Sequence, residues 1–239
     1  MASRFSHRAE IIEIMDDLHC SGEVVSQTLK ELEIINRWLG GNAVTLNGIK
    51  KLVKDKLGND KITIADIGCG GGDVLKEIAR WGKGKNLALA LTGVDANPHI
   101  IKLAKNNTKT FEEITYKTQN VFSEEFQAIK YDIIIATLFT HHFNNQELAQ
   151  LIRSIVSQSR VGVVINDLHR HWFAYHSIRL LTKWFSKSSM VQFDAPVSVL
   201  RSFHKSDIES ILKDAGVKNY TLTWKWAFRW QLVIPKSLA

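Results

Sequence analysis

The sequence contains little cysteine and proline, and it has no long apolar run. Cys20 and Cys69 stand far apart in the 239 residues, which excludes a disulfide framework and a cysteine metal site of known spacing. Three prolines and 45% hydrophobic residues exclude a disordered chain. No apolar stretch approaches the roughly 20 residues that cross a bilayer, and no signal-peptide pattern is present. These features predict an ordered, cytoplasmic protein.

The net charge of +7 is distributed unevenly. Residues 160–239 contain 12 Lys+Arg and 5 Asp+Glu, whereas residues 1–159 contain 19 of each. A basic C-terminal third is typical of a solvated surface, and it also occurs in proteins that bind nucleic acids or anionic membranes. The charge pattern favours the solvated surface and does not identify a partner.

Apolar spacing divides the chain into two parts. Residues 7–57 show helical periodicity with Gly40-Gly41 as a stop, which predicts an N-terminal helical cap over residues 1–59. Residues 60–239 then alternate short apolar strands with amphipathic helices, and right-handed crossovers give such a series a parallel sheet with helices on both faces. We predict a doubly wound α/β domain with seven strands, the last two forming an antiparallel hairpin, and a helical insertion at about 170–200.

A glycine-rich turn follows the first predicted strand. Ile62-Thr63-Ile64-Ala65 runs into Asp66-Ile67-Gly68-Cys69-Gly70-Gly71-Gly72-Asp73, where a helix begins. Ligands bind at this edge of a parallel sheet, and glycines let the backbone approach them closely. Asp95 ends the next strand about 20 residues later, where a carboxylate can accept both ribose hydroxyls. The pattern favours a nucleoside site over a turn that serves packing alone.

The turn departs from the dinucleotide-binding fingerprint. Asp73 occupies the place of its third glycine, and Asp66 precedes the first. The sequence resembles the class I S-adenosylmethionine-dependent methyltransferases over about residues 60–235, and this resemblance implies a Rossmann-like fold with S-adenosylmethionine as cofactor. It places Asp66 near the cofactor's amino group and Asp95 at the ribose. Further implied cofactor contacts are Gly68, Gly70, Gly72, Ala96, Asn120, Val121 and Thr137.

The fourth strand ends in Leu138-Phe139-Thr140-His141-His142-Phe143. This ending is similar to the Leu-His-His-Phe segment of the ubiquinone- and menaquinone-type methyltransferases. The Asn/Asp-Pro-Pro-aromatic tetrapeptide of enzymes that methylate exocyclic amines is missing, which disfavours nucleic-acid modification. Residues 35–41 and 166–171 are also similar to a bacterial subgroup associated with polyketide or phenolic-lipid pathways. The resemblance implies O- or C-methylation of a phenolic, quinone-like or polyketide metabolite.

Histidines after the fourth and fifth strands are candidates for a general base. An acceptor that loses a proton needs a base, and histidine titrates near neutral pH. His142 and His169 are the leading candidates, and His141 is the third. A histidine at such a position also often caps a helix or packs against a ligand. We expect no metal site, because His169-Arg170-His171 has no third ligand nearby in sequence.

Several alternatives remain open at this point. Residues 172–186 carry a stripe of aromatic and apolar residues that is typical of a lid over an apolar acceptor, a helix at a membrane surface, or a helix packed on the core. Arg37 and Arg201 are weak candidates for binding a carboxylate. A small, hydrophobic or aromatic acceptor is the expected partner, with no nucleic acid; the oligomeric state is not indicated.

Two other functions compete with small-molecule methylation. Trp224, Trp226, Arg229 and Trp230 combine aromatic and basic groups, which favours an RNA methyltransferase, because such groups stack on and hold single strands. A non-catalytic scaffold that binds S-adenosylmethionine is the other alternative, because a fold does not establish a function.

Overall fold

The protein is described by a computed structural model that covers residues 4–53 and 61–236. Its helices are α1 (Glu23–Trp38), α2 (Gly41–Val53), α3 (Asp73–Gly84), α4 (Pro98–Asn107), α5 (Glu124–Gln127), α6 (Asn145–Gln158), α7 (Trp172–Phe185), α8 (Ser189–Arg201) and α9 (Lys205–Asp214). Its strands are β1 (Ile62–Ile67), β2 (Leu89–Asp95), β3 (Ile114–Thr118), β4 (Tyr131–Thr137), β5 (Ser159–Leu168), β6 (Thr221–Lys225) and β7 (Arg229–Pro235). Two 3₁₀ turns lie at Ile14–Asp16 and Thr140–His142.

The strands form one seven-stranded sheet in the order β3-β2-β1-β4-β5-β7-β6. All neighbours are parallel except β7, which runs antiparallel to both β5 and β6. This topology confirms the predicted doubly wound fold and its terminal hairpin. The strand order reverses next to β1, so the carboxyl ends of β1, β2 and β4 surround a crevice suited to a ligand.

Alternating side chains of the central strands build a core on each face of the sheet. Ala65 and Ile67 pack with α6 and α9 on one face, whereas Ile64 packs with α2 and α3 on the other. Helix starts are encoded locally: Asn97 caps α4 by accepting from two backbone N–H groups, and Pro98 begins it. The rigid sheet therefore fixes the positions of the strand ends where functional residues were predicted.

The N-terminal part differs from the periodicity-based prediction. Residues 7–20 contain only the 3₁₀ turn Ile14–Asp16 and no α-helix. The backbone N–H groups of Ile14 and Met15 donate to the carboxylate of Asp194 in α8, at 2.8 and 3.1 Å. These tertiary hydrogen bonds replace the helical ones. Ile11, Ile12, Ile14 and Leu18 are exposed, so the apolar spacing of this segment does not mark the buried face of a helix. The predicted domain boundary at residues 59 and 60 lies outside the described residues.

Helices α7 and α8 fill the connection between β5 and α9, where the insertion was predicted. They pack against each other, and α8 also contacts α1 and both 3₁₀ turns. Across residues 4–53 and 61–236, no helix combines the length and apolar character required to traverse a bilayer.

Candidate functional site

A cavity of about 930 Å³ lies over the carboxyl ends of the strands. Its walls come from the glycine turn after β1, the ends of β2 and β4, α1, the Ile14–Asp16 turn, α7, α8 and the turn between β6 and β7. This volume lies at the upper end of the range for small-molecule sites. The cavity is therefore large enough to consider two ligands side by side.

The glycine turn after β1 requires glycine for two reasons. Gly68 and Gly72 have φ values of +66° and +79°, which other residues rarely adopt. A Cβ on Gly68 would lie 2.1 Å from the Phe139 ring, and one on Gly72 would lie 2.2 Å from the Tyr116 hydroxyl. Gly70 also has a positive φ of +49°, but a Cβ there would make only an ordinary contact with Leu29, at 3.6 Å. The turn thus presents bare backbone to the cavity.

Asp66 brings a carboxyl group with an unpaired oxygen to the wall of this cavity. Its side chain is 1% exposed, and among the described residues Oδ1 has no hydrogen-bond partner. Burial raises the pKa of Asp66 well above its ordinary value, and the charges of Asp73 and Asp95 add to this effect. A cationic ligand would stabilise a buried carboxylate that has an unpaired oxygen, so Asp66 suits an ammonium group.

Asp95 ends β2 at the cavity wall, next to Ala96. Its Oδ1 accepts from the backbone N–H of Asn97 at 2.9 Å, which fixes the carboxylate orientation. Burial raises the pKa of Asp95, and backbone N–H groups including that of Asn97 partly offset the rise. The oriented carboxylate retains acceptor capacity for two vicinal hydroxyls.

The wall after β3 contains a residue that the sequence analysis missed. Asn120 uses its Oδ1 to accept from the Phe122 N–H at 2.9 Å, so part of its capacity is spent in the turn. The neighbouring Gln119 lines the cavity with a buried Oε1 that has no partner among the described residues. Val121 adds a buried apolar surface. A nucleobase amine would therefore find a free acceptor on Gln119, which only the unpaired oxygen reveals.

Thr137 lies at the end of β4 but is used largely within the fold. Its hydroxyl bonds to the hydroxyl of Thr45 in α2 at 2.8 Å, and Asn166 donates to Thr45 at 3.0 Å. This buried chain ties α2 to β4 and β5. Thr137 therefore contributes wall surface, with its hydroxyl already paired.

Two adjacent histidines each pair with an aspartate. His141 Nδ1 lies 2.7 Å from Asp167 Oδ1, and His142 Nδ1 lies 2.5 Å from Asp16 Oδ1. Their ring centroids are 4.3 Å apart. A carboxylate only accepts, so each Nδ1 donates, and in the neutral ring Nε2 keeps a lone pair. Because His142 is the more exposed of the two and lines the cavity, it is better placed to take a proton from a ligand.

The aspartates of both pairs are held in the ionised form. Burial favours a raised pKa for Asp167, but His141 outweighs it through charge and hydrogen bonding, and the pKa falls. Asp16 behaves alike: burial works to raise its pKa, and hydrogen bonds from His142 and Arg201 lower it. Arg201, considered for ligand binding, is engaged with Asp16 at 2.5 Å and with the His142 carbonyl at 2.7 Å. Arg37 is exposed on α1.

Glu13 is a third acid beside the two histidines, and no sequence pattern singled it out. It is 4% exposed, and its Oε1 lies 3.6 Å from both His141 Nε2 and Arg201 Nη1. Burial raises the pKa of Glu13 to about 7, against opposing effects from His142, Ser198 and Arg201. Glu13, His141 and Asp167 therefore form a buried acid-histidine-acid row beside His142.

His169, the second leading candidate, has a different environment. The indole N–H of Trp224 donates to its Nδ1 at 3.2 Å. Burial lowers the pKa of His169 to about 4, and the charges of His171, His204 and Arg170 act in the same direction. Its neighbour His171 accepts from the Phe173 N–H and so caps α7. His169 lines the cavity as a neutral, weakly basic ring, because no acid compensates its burial.

The buried group around His141 and His142 also brings potential metal ligands together. Glu13, His141 and His142 each offer a ligand atom, and these atoms lie within 4.8 Å of one another. Sequence spacing cannot show this set, since Glu13 stands far from the histidines in the chain. The Arg201 guanidinium near Glu13 Oε1 already supplies positive charge to that oxygen. The geometry thus fits a proton-handling cluster at least as well as a metal centre.

Replacing Glu13 with glutamine should change how stability depends on pH. The folded pKa of Glu13, about 7, lies above its ordinary value of 4.5, so proton binding stabilises the fold below pH 4.5 and this contribution is lost as pH rises to 7. Glutamine stays neutral. The free energy of unfolding of E13Q relative to the parent should therefore rise by about 3 kcal/mol across this interval.

Urea unfolding at pH 4.5, 6 and 8 measures this difference. The exposed Glu10 provides the control, since E10Q should track the parent at each pH. A pH-independent difference between E13Q and the parent would show that Glu13 is ionised throughout.

Comparison with known proteins adds a family to this geometry. Residues 64–162 match the family described as "Methyltransferase domain". The chain is 27% identical over 186 residues to the ubiquinone biosynthesis O-methyltransferase of Methylobacterium sp. (strain 4-46), covering 73% of this chain and 71% of the relative. Both matches are to methyltransferases, so the cavity lies in a domain that is similar to theirs. The segment matched by the family includes the glycine turn, Asp95 and the paired histidines.

Solved structures of methyltransferases show the same fold. The plantazolicin methyltransferase BpumL has a TM-score of 0.66 at 17% identity, with 90% of each chain covered. Magnesium protoporphyrin IX methyltransferase from Synechocystis PCC 6803 has a TM-score of 0.57 at 16% identity, with 93% of each chain covered. The CMeT domain of the citrinin polyketide synthase has a TM-score of 0.62 at 14% identity, over 82% of this chain and 52% of that one.

The residues of the cavity fit S-adenosylmethionine. The unpaired oxygen of Asp66 suits its ammonium group, and the bare backbone at Gly68 leaves room for its methionine part. The oriented Asp95 suits vicinal ribose hydroxyls, and Gln119 with Val121 offers an acceptor and an apolar surface to a nucleobase. The ammonium group, the ribose and the nucleobase of the cofactor would thus each meet complementary chemistry.

Proposed function

We propose that this chain is an S-adenosylmethionine-dependent methyltransferase that methylates an oxygen or carbon of a small, hydrophobic, aromatic acceptor of phenolic, quinone-like or polyketide type. The observation that carries the proposal is that one cavity joins the glycine turn to the His142–Asp16 pair. A cofactor site and a base therefore open onto the same space, which is what proton-coupled methyl transfer requires.

The cofactor is assigned to the side of the cavity nearest β1 and β2. Asp66 holds the amino group, Asp95 holds the ribose with Ala96 beside it, and Gln119 and Val121 hold the nucleobase. Asn120 supports this wall through its turn, and Thr137 closes the cavity below. The backbone of Gly68, Gly70 and Gly72 passes beneath the methionine part.

His142 is proposed as the general base. S-adenosylmethionine supplies a methyl group on a sulfonium, and the sulfur keeps the electron pair of the broken C–S bond. The acceptor hydroxyl gives its proton to His142 Nε2 as the new O–C bond forms. Asp16 orients the ring and stabilises its charged form, as a carboxylate does in other acid-histidine pairs. Glu13 and Asp167 hold His141 in place beside His142, and these side chains keep this corner of the cavity polar.

The opposite wall favours an apolar acceptor. Phe173, Ile178 and Leu181 of α7 line the cavity together with Trp226 and Phe228. The rings of Phe173 and Phe228 are tilted by 43° with centroids 5.8 Å apart, and such aromatic side chains pack well against flat aromatic ligands. The names of the relatives support the same class, since they refer to ubiquinone, a porphyrin and a polyketide synthase.

The outer face of α7 is apolar as well. Trp172, Leu180, Trp184 and Phe185 are exposed, with Trp184 at 73%, and Lys183 lies among them. Exposed aromatics next to a cation are typical of helices that rest on anionic lipid surfaces. We propose that the protein is cytoplasmic and that this face of α7 contacts the membrane surface, where it collects lipophilic acceptors.

A transfer screen tests the proposal. The purified protein is given S-[methyl-³H]adenosylmethionine and, separately, phenols, quinols, polyketide acids, fatty acids and RNA. Label should enter phenols or quinols, and anionic vesicles should raise transfer to their long-chain derivatives. Label that enters RNA alone would overturn the proposed acceptor class.

A further inference from the structure

Arg229, the first residue of β7, is a buried cation with unused donors. Its side chain is 2% exposed and lines the cavity. Within residues 4–53 and 61–236, neither Nε nor Nη1 has a hydrogen-bond partner. Burial lowers the pKa of Arg229 to about 10, against a raising effect from Asp167. The guanidinium therefore remains charged at neutral pH, while two of its donor groups lack a hydrogen-bond acceptor among the described residues.

The other fully buried arginine shows what a structural role looks like. Arg170 donates to the carbonyls of Phe5 and Ser202 and forms an ion pair with Asp207 at 2.9 Å. Its charge and donors are thus compensated inside the protein. Arg229 has no comparable set, so its burial is not explained by the fold itself.

The surroundings of Arg229 add positive potential. A Cβ placed on Gly41, the first residue of α2, would lie 2.9 Å from Arg229 Cζ. The guanidinium therefore packs against the start of a 13-residue helix, whose dipole is positive at that end. The guanidinium lines the cavity and lies beside this second source of positive potential. An anion bound in the cavity next to Arg229 would be stabilised by both.

We propose that Arg229 is a carboxylate-binding residue of the cavity. The planar guanidinium matches a carboxylate through two parallel hydrogen bonds. This inference rests on the proposed function, because both ligands assigned to the cavity can bring that group. One source is the methionine carboxylate of the cofactor, and the other is a carboxylate on the acceptor.

Calorimetry separates the two sources without requiring any methyl transfer, so it stays informative if the proposed acceptor class fails. The parent, R229Q and R229K are titrated with S-adenosylhomocysteine and with decarboxylated S-adenosylmethionine. If the cofactor supplies the carboxylate, R229Q should bind S-adenosylhomocysteine about 10- to 100-fold more weakly, with R229K intermediate. Decarboxylated S-adenosylmethionine, which keeps the amino group, should then bind all three proteins equally.

The second arm uses protein saturated with S-adenosylhomocysteine. If the acceptor supplies the carboxylate, R229Q should bind S-adenosylhomocysteine like the parent, and the saturated parent should bind aromatic acids such as benzoate or 3-phenylpropanoate. That binding should be lost in R229Q. Unchanged binding of both S-adenosylhomocysteine and the acids in R229Q would overturn the proposal.

Stability of the ligand-free protein provides a further discriminating readout. A ligand-binding arginine without internal partners should be replaceable, so R229M should unfold within about 2 °C of the parent or above it. R170M should unfold at a clearly lower temperature, because it removes internal hydrogen bonds and an ion pair. A drop in R229M equal to that in R170M would make Arg229 structural and overturn the proposal.

Discussion

H142Q is expected to lower kcat by about 10²- to 10⁴-fold while leaving the affinity for S-adenosylhomocysteine nearly unchanged. Glutamine preserves the size and polarity of the side chain but cannot take the acceptor's proton. The Asp16 carboxylate, 2.5 Å from Nδ1, then has no ring to orient. Initial rates with the best acceptor from the transfer screen, together with calorimetry, measure the two quantities separately.

Two control variants sharpen this measurement. H99Q makes the same substitution at an exposed position on α4 and should have parental activity. H169Q should lose far less activity than H142Q, because His169 is a weak base whose Nδ1 already accepts from Trp224. Transfer should also survive a chelator. Full activity in H142Q would overturn the histidine base. Loss of parental activity on chelation, together with loss in H142Q, would instead indicate a metal bound by Glu13, His141 and His142.

D95A is expected to weaken binding of S-adenosylhomocysteine by about 100-fold or more. The substitution removes two charge-assisted hydrogen bonds to the ribose, each contributing about 1.5–3 kcal/mol. The carboxylate lies at the end of β2 and accepts from backbone N–H groups of the adjacent turns, including that of Asn97. Because these groups lie at the cavity wall, the fold should survive the loss of the carboxylate. Calorimetry gives the affinity, and thermal unfolding without ligand checks the fold.

Asp214 on α9 provides the matched control for D95A. It is exposed and does not line the cavity, and D214A makes the same change in charge there. The two variants should unfold alike without ligand and differ only in affinity. If D95A binds S-adenosylhomocysteine like the parent, Asp95 is a structural acid and the ribose lies elsewhere in the cavity.

The features predicted well from sequence are those encoded by neighbours in the chain. Ile62–Ile67 is apolar and short enough to be a buried strand, and Gly68 and Gly72 require positive φ values that only glycine adopts easily. The parallel sheet with helices on both faces follows from the β-α alternation and the handedness of crossovers. The sequence could therefore place the glycine turn and the acid that ends β2 at the same edge of the sheet.

The acceptor side depends on contacts between residues far apart in sequence. Glu13 and Asp16 meet His141 and His142 across more than 120 residues, and no local pattern connects them. Apolar spacing in residues 7–20 predicted a helix that the hydrogen bonds to Asp194 replace. The sequence also could not predict the bond from Thr137 to α2 or the unpaired donors of Arg229. Burial and pairing are properties of the assembled structure.

Helix α8 joins the roof of the cavity to its acid-base chemistry. It carries Asp194 and Ser198, which hold the segment bearing Glu13 and Asp16, and it ends at Arg201, which binds Asp16. The same helix packs against α7, whose inner face lines the acceptor side. Arg201 also binds the carbonyl of His142, so the end of α8 contacts both members of the His142–Asp16 pair. The shape of the acceptor side and the alignment of the proposed base therefore depend on the position of a single helix.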